Sequence, residues 1–234
     1  MSKKNKKISR KKFIKRISLL GIGLSPLINM LYAADKGIYY ISKHIKILDD
    51  PNKILKLAEG LRYSIISNRG DAMDDGLSVP DYADGMGAFQ GDRGNVILVR
   101  NHEIGHFSKI NKLLSLNPLY KHKRYIKDNI HRFYDDGRGK KPSCGGTTTI
   151  VYNPNKDTVE REYLSLGGTL VNCSGGPTPW GTWISCEETV DLAGGALSKD
   201  HGYNFEVIPS EKVGLQKAEP FRSMGRFRHE GVAI

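Results

Sequence analysis

"NCSGGPTPWGTWISCEET", residues 172–189, packs two cysteines, two adjacent glutamates, two tryptophans and two prolines into eighteen positions. Its residues fit three readings: a disulfide-stapled turn, a strand with a rigid Gly/Pro lead-in, or the ligand set of a metal. Its second half, "GTWISCEE" (181–188), belongs to a series of β-type runs bounded by turn signals. The others are "RYSIIS" (62–67), "NVILVRN" (95–101), "TTTIVYN" (147–153), "TVEREYLSL" (158–166) and "YNFEVI" (203–208). The third and fourth of these are joined by "PNKD", which reads as a hairpin turn. Many short strands without alternating helices predict an all-β fold, a β-propeller or a sandwich. The 26 glycines and 10 prolines suit the many turns such a fold needs.

One interval departs from the pattern. Residues 109–141, "KINKLLSLNPLYKHKRYIKDNIHRFYDDGRGKK", space Leu, Tyr, Ile and Phe as a helix does, with a break at Pro118. A helical insertion around 109–135 is expected. Its basic residues read as a solvated face, with attraction of an anionic substrate as the alternative.

The formal charge of +11 suggests nucleic-acid binding until its distribution is examined. Residues 1–34 hold nine Lys and Arg and no acid; the rest carries 27 basic against 25 acidic residues. The basicity belongs to a leader, so no nucleic acid is expected as partner. "MSKKNKKISRKKFIKR" is a cationic n-region and "ISLLGIGLSPLINMLYAA" a modestly apolar segment ending in small residues, which reads as an export signal. "SRKKFIK" (9–15) is similar to the twin-arginine pattern, with Lys11 in place of the second arginine. Left uncleaved, residues 17–34 would anchor the chain in a membrane. Residues 35–60 read as an approach segment, and 61–234 as the main domain.

Several polar groups sit where buried strands end. Glu187 and Glu188 follow the apolar run "WGTWISC", and on a regular strand they would face opposite sides. Asn101, His102 and Glu103 close "VILVRNHE", and His229 and Glu230 form a second His–Glu pair. Several strand ends delivering such groups to one place would make a metal site, since carboxylates suit Ca²⁺ and ferric iron and a thiolate suits a transition metal. The three cysteines, Cys144, Cys173 and Cys186, could pair two and leave one. The Gly-rich "DYADGMGAF" (81–89) and "CGGTTT" (144–149) lack the spacing of nucleotide-binding loops, and no G-x-S-x-G elbow occurs.

"DGMGAF", "ILVRNHE", "GGTTTIVYN", "NCSGGPTPWGTWISCEET", "HGYNFEV" and "MGRFRHEGVAI" occur in an order that resembles the PhoX family of exported alkaline phosphatases, over roughly residues 60–234. The resemblance implies a six-bladed propeller, exported folded by the twin-arginine route to the periplasm or outside the cell. It further implies a cluster of two ferric ions, Fe(III), and calcium ions, Ca²⁺, bridged by an oxo group. Cys173 would be the thiolate ligand to iron, with Glu188 and Glu230 as carboxylate ligands. Glu103, Asn101 and Glu187 are weaker candidates for the cluster or its surroundings, and Cys186 fits a packing position. Arg228 stands where the family pattern has Asn.

The activity implied is hydrolysis of phosphate monoesters. The partners expected are those substrates and the export machinery, and the chain is expected to be a monomer. The sequence stops inside a strand-like run at Ile234, so an incomplete propeller with weak or absent activity is expected. Two other classes compete: a calcium-binding propeller hydrolase acting on lactones or non-phosphate esters, and a non-catalytic exported propeller.

Overall fold

The computed structural model describes residues 46–50, 52–105 and 121–234. The leader and the first part of the expected helical insertion lie outside the described residues. The chain divides into two units between Tyr63 and Ser64. In the first unit, β1 (Ile47–Leu48) pairs antiparallel with β2 (Leu57–Ala58). The turn between them is held by the Asp50 carboxylate, which accepts from the backbone of Asn52 and Ile54 at 2.9 Å and from the Tyr63 hydroxyl at 2.5 Å.

The second unit is built from two antiparallel meanders. Strands β3 (Ala83–Gln90), β4 (Val96–His102), β5 (Gly145–Asn153) and β6 (Thr158–Thr169) form a four-stranded sheet in sequential order. Strands β7 (Asn172–Pro177), β8 (Trp183–Glu187) and β9 (Asn204–Val207) form a three-stranded sheet, also sequential. The fold is all-β with few helices, and no closed barrel forms among the described residues.

Alternation on β4 buries Ile97, Val99 and Asn101 on one face. Val99 joins Leu166, Trp183, Phe205, Val207 and Tyr134 in a core shared by the two sheets. Gly87 makes that core possible, because a Cβ there would meet the Trp183 ring at 2.6 Å. A second core gathers Met73, Leu77, Val79, Phe133, Leu164 and Leu215 around Ile126 of helix α1 (Lys123–Asn129). That helix is the described part of the insertion, followed by a 3₁₀ turn over Ile130–Arg132.

Three sequence expectations change. Residues 62–67 form no strand. The neighbouring edge of β6 is capped instead by two carboxylates, with Asp74 accepting from the Glu162 N–H and Asp75 from the Leu164 N–H, each at 2.7 Å. With those donors taken, 62–67 uses side chains: Ser67 Oγ donates to Glu162 and Ser64 Oγ to Asp157, both at 2.8 Å. Second, the Gly-rich segments 83–90 and 172–177 are strands, with Gly85, Gly175 and Gly176 allowing close approach to neighbouring backbone and Gly87 to the Trp183 ring. Third, the three cysteines are all free and buried, so none is paired.

Candidate metal centre

The ladder between β7 and β8 is where the site begins. Asn172 pairs with Glu187 and Gly175 with Ser185, with the register shifting between them. Cys173 and Ser174 therefore oppose Cys186 alone, as in a β-bulge, a feature that often re-aims a side chain beside a functional site. Val171, just before β7, has φ of 49°, a left-handed conformation rare for a β-branched residue. Its carbonyl accepts from the Glu188 N–H at 2.9 Å, and its own N–H donates to Ile104 at 3.0 Å. Strain of this kind, held by hydrogen bonds on both sides, fixes the backbone beside Cys173 and Glu188.

The segment 229–232 runs beside these strands. The His229 N–H donates to the Glu187 carbonyl at 3.0 Å and the Val232 N–H to the Gly175 carbonyl at 3.4 Å. This places the Cys173 thiol 3.4 Å from the His229 carbonyl and 3.5 Å from that of Glu230. As a result Cys173, Glu188 and Glu230 each offer one ligand atom, and the three atoms all lie within 4.8 Å of one another. The thiol is buried, Glu188 is half-buried and Glu230 is exposed, so the group opens from a dry base to solvent.

Two further acids face this group. Burial raises the Glu103 carboxyl above its ordinary pKa, as do its hydrogen bond with Asp84 and the charges of Asp84, Glu188 and Glu230. Asp84 stands on β3 where the β3–β4 register shifts between Ala83 and Met86. Its neighbour Gly85 lets β3 touch β7: a Cβ at Gly85 would meet Ser174 Cα at 2.7 Å and the Cys173 carbonyl at 2.9 Å. Burial likewise pushes the Cys173 thiol up to about 11, with the Glu230 and Glu188 charges adding to the rise. Among the described residues no basic side chain pairs with Asp84, Glu103, Glu188 or Glu230. A buried thiol and the carboxyl of Glu103, both held protonated more tightly by burial and the acids around them, together with Asp84, Glu188 and Glu230 form a donor set that suits a multivalent cation in both donor type and charge.

The remaining sequence candidates support the site from behind. Asn101 is fully buried; its Nδ2 donates to the Ser174 carbonyl at 2.7 Å, and its Oδ1 accepts from Trp183 Nε1 and Ser185 Oγ, each at 3.0 Å. With all its close contacts made to protein, it ties β4 to both β7 and β8. Glu187 points away from Glu188, as adjacent strand residues do. Its oxygens accept from the backbone N–H groups of Leu170, Gly202 and Tyr203 and from His201 Nδ1. His102 is buried with Nδ1 donating to the Asp81 carbonyl at 2.8 Å and Nε2 accepting from Thr148 at 2.9 Å. Burial and the nearby Arg100 push its pKa down to about 3, so it is neutral. Cys186 is fully buried in the β8 core.

Sequence reasoning overlooked Asp84, His201 and Asp135. Asp84 was visible in "DGMGAF", an acid ahead of two small residues at a strand entry. His201 opens "HGYNFEV", but nothing local marks its partners, which lie 14 and 66 residues away.

A family model described as Alkaline phosphatase PhoX matches residues 43–234. No curated protein and no solved structure matches the chain.

Proposed function

The chain belongs to the PhoX family of alkaline phosphatases, and from that membership we propose that its domain over 61–234 is a metal-dependent phosphomonoesterase working outside the cytoplasm. The observation that carries this reading is the convergence of Cys173, Glu188 and Glu230 within 4.8 Å. A thiolate with two carboxylates suits ferric iron, and the all-oxygen donors Asp84 and Glu103 suit calcium. Bound there, such ions would supply positive charge against the phosphoryl oxygens and lower the pKa of water, the two aids phosphate ester hydrolysis most needs.

The chain's own residues define the setting. Four carboxylates would repel a phosphate dianion, so an anionic substrate is compatible with this surface only when cations outweigh the acids. The buried thiol forms the floor, and exposed Asp84 and Glu230 mark the side from which substrate arrives. Gly85 and Asn101 keep β3 and β4 against β7, so that acids from three strand ends stay within reach of the floor.

The same reading extends to architecture and location. The sequential four-stranded meander β3–β6 is the form of a propeller blade, with β7–β9 the start of a second, which supports the six-bladed propeller of the resemblance. The near balance of charge beyond the leader supports a protein without nucleic-acid partners. The leader would deliver a monomer to the periplasm or beyond through the export machinery, with residues 17–34 as the place of any membrane contact. Among the described residues no helix is long and apolar enough to cross a membrane.

Metal analysis of the purified chain, combined with p-nitrophenyl phosphate hydrolysis before and after chelation, tests the proposal. Iron and calcium should be bound, and chelation and Cys173→Ser should each abolish any turnover the chain supports. Undiminished phosphatase activity in iron-free protein would overturn it. Hydrolysis confined to lactones and indifferent to Cys173→Ser would favour the calcium-only class.

A further inference from the structure

His201 is fully buried between two fully buried carboxylates. Its Nδ1 lies 2.7 Å from Glu187 Oε1 and its Nε2 3.1 Å from Asp135 Oδ2. The Asp135 end is itself anchored. Its carboxylate accepts from the backbone N–H of Gly137 at 2.8 Å and from Ser198 Oγ at 2.7 Å, as well as from the Ser198 and Lys199 N–H groups.

The other end is a hub for the metal candidates. The Glu187 side chain accepts from the Leu170 N–H at 2.9 Å, next to the strained Val171 that leads into Cys173. Its backbone carbonyl accepts from His229 at 3.0 Å, the residue before Glu230. Glu188 follows it directly. One residue thus holds the approaches to all three ligand candidates, and it is held in turn by His201.

The geometry points to His201 as a positioning residue: clamped between Asp135 and Glu187, it fixes the hub that aims Cys173, Glu188 and Glu230 at one metal ion. This inference rests on the metal-centre reading above. Residues that orient ligands without touching the metal typically change its affinity about 10- to 100-fold when replaced. A clamp serving stability alone would lower the melting temperature and leave the affinity of the folded protein untouched.

Cobalt(II) titrated into the full-length, metal-free chain separates these roles, because its thiolate absorption band reports ligation by Cys173. Binding is measured well below each variant's melting temperature. The wild type should show the band and Cys173→Ser should lose it. His201→Gln should bind cobalt about 10- to 100-fold more weakly. The loss should shrink in a Glu188→Gln background, because a hub acting through Glu188 couples the two positions. Unchanged affinity in folded His201→Gln, or an equal loss in both backgrounds, overturns the inference. If His201→Gln does not fold, Ser198→Ala loosens Asp135 while keeping His201. It should weaken cobalt binding about threefold, the worth of one hydrogen bond, and no change there would overturn the inference too. A wild type lacking any Cys173-dependent band overturns the metal reading and the inference with it. A wild-type band alongside indifferent variants overturns the inference alone.

Discussion

The Cys173 thiol lies 3.5 Å from the backbone carbonyl of Glu230, a residue 57 positions later in the chain. Strand β7 is thereby closed on one side by the segment carrying the last acid of the candidate site. The buried thiol there lies against the carbonyl oxygens of Cys186, His229 and Glu230.

Replacement of Cys173 by Ser should be tolerated by the metal-free fold at a cost of about 1–2 kcal/mol, because the buried hydroxyl finds acceptors in the His229 and Glu230 carbonyls that the thiol already faces. The metal response should differ sharply. Ligand at 100 times its dissociation constant stabilises a folded protein by about 2.7 kcal/mol, a rise of several degrees in a domain of this size. Thermal melts with and without added iron should show that rise in the wild type and none in Cys173→Ser; equal rises would contradict the assignment of the thiol.

The contact between β3 and β7 makes a second test. Any side chain at Gly85 meets backbone, with Ser174 Cα at 2.7 Å and the Cys173 carbonyl at 2.9 Å, and neither can swing aside. Gly85→Ala should cost about 1–3 kcal/mol by overpacking, read from denaturant unfolding. Gly214→Ala meets nothing within 4 Å and is the matched control, expected to be neutral or slightly stabilising. Equal effects at the two positions would mean that β3 does not need this close approach.

The glycines show what the sequence made legible and what it did not. Strands β4, β5, β6, β8 and β9 carry enough apolar and β-branched residues to be read locally, and the hairpin turn at 154–157 falls where "PNKD" predicted it. Strands β3 and β7 were opaque because Gly85, Gly87, Gly175 and Gly176 are there for what approaches them, and that requirement is set by Ser174, Trp183, Ile184 and Val232. The reverse error at 62–67 has the same origin. Its strand-like composition was real, but the β6 edge it would have joined was taken by Asp74 and Asp75. The site followed the same rule. Cys173, Glu188 and Glu230 were nominated through a resemblance of motifs, whereas the Asp135–His201–Glu187 chain depends on contacts no motif contains.

Glu103 offers a test in which the sign depends on the cation. Its carboxyl is held above the ordinary range by burial, by Asp84, and by the charges of Glu188 and Glu230. Without metal, Glu103→Gln removes part of this repulsion and should stabilise the fold by a few tenths of a kcal/mol, since like charges near a surface oppose each other modestly. With calcium present the same substitution removes a donor and should lower the calcium-induced rise in melting temperature. A variant less stable in both conditions would show that Glu103 serves packing alone.

The buried triad makes stability depend on alkaline pH. Burial alone would lower the His201 pKa, but hydrogen bonds and charges from Asp135 and Glu187 outweigh it and raise the value from 6.5 to about 9. A raised folded-state pKa means that the folded protein holds a proton the unfolded chain releases earlier. The stabilisation is complete below the unfolded value of 6.5 and is lost as pH rises through about 9. The shift corresponds to on the order of 3 kcal/mol. Asp135 acts in the opposite direction: although burial opposes it, hydrogen bonds from His201 and Ser198 hold its carboxyl well below the usual range, so its contribution fails only in strong acid. Denaturant unfolding of the metal-free wild type and His201→Gln between pH 6 and 10 should therefore give curves farthest apart near pH 6. They should converge towards pH 10, because only the wild type has a proton to lose there. A gap that stayed constant across the range would mean that His201 is neutral in the folded protein and that Asp135 and Glu187 are held by other donors.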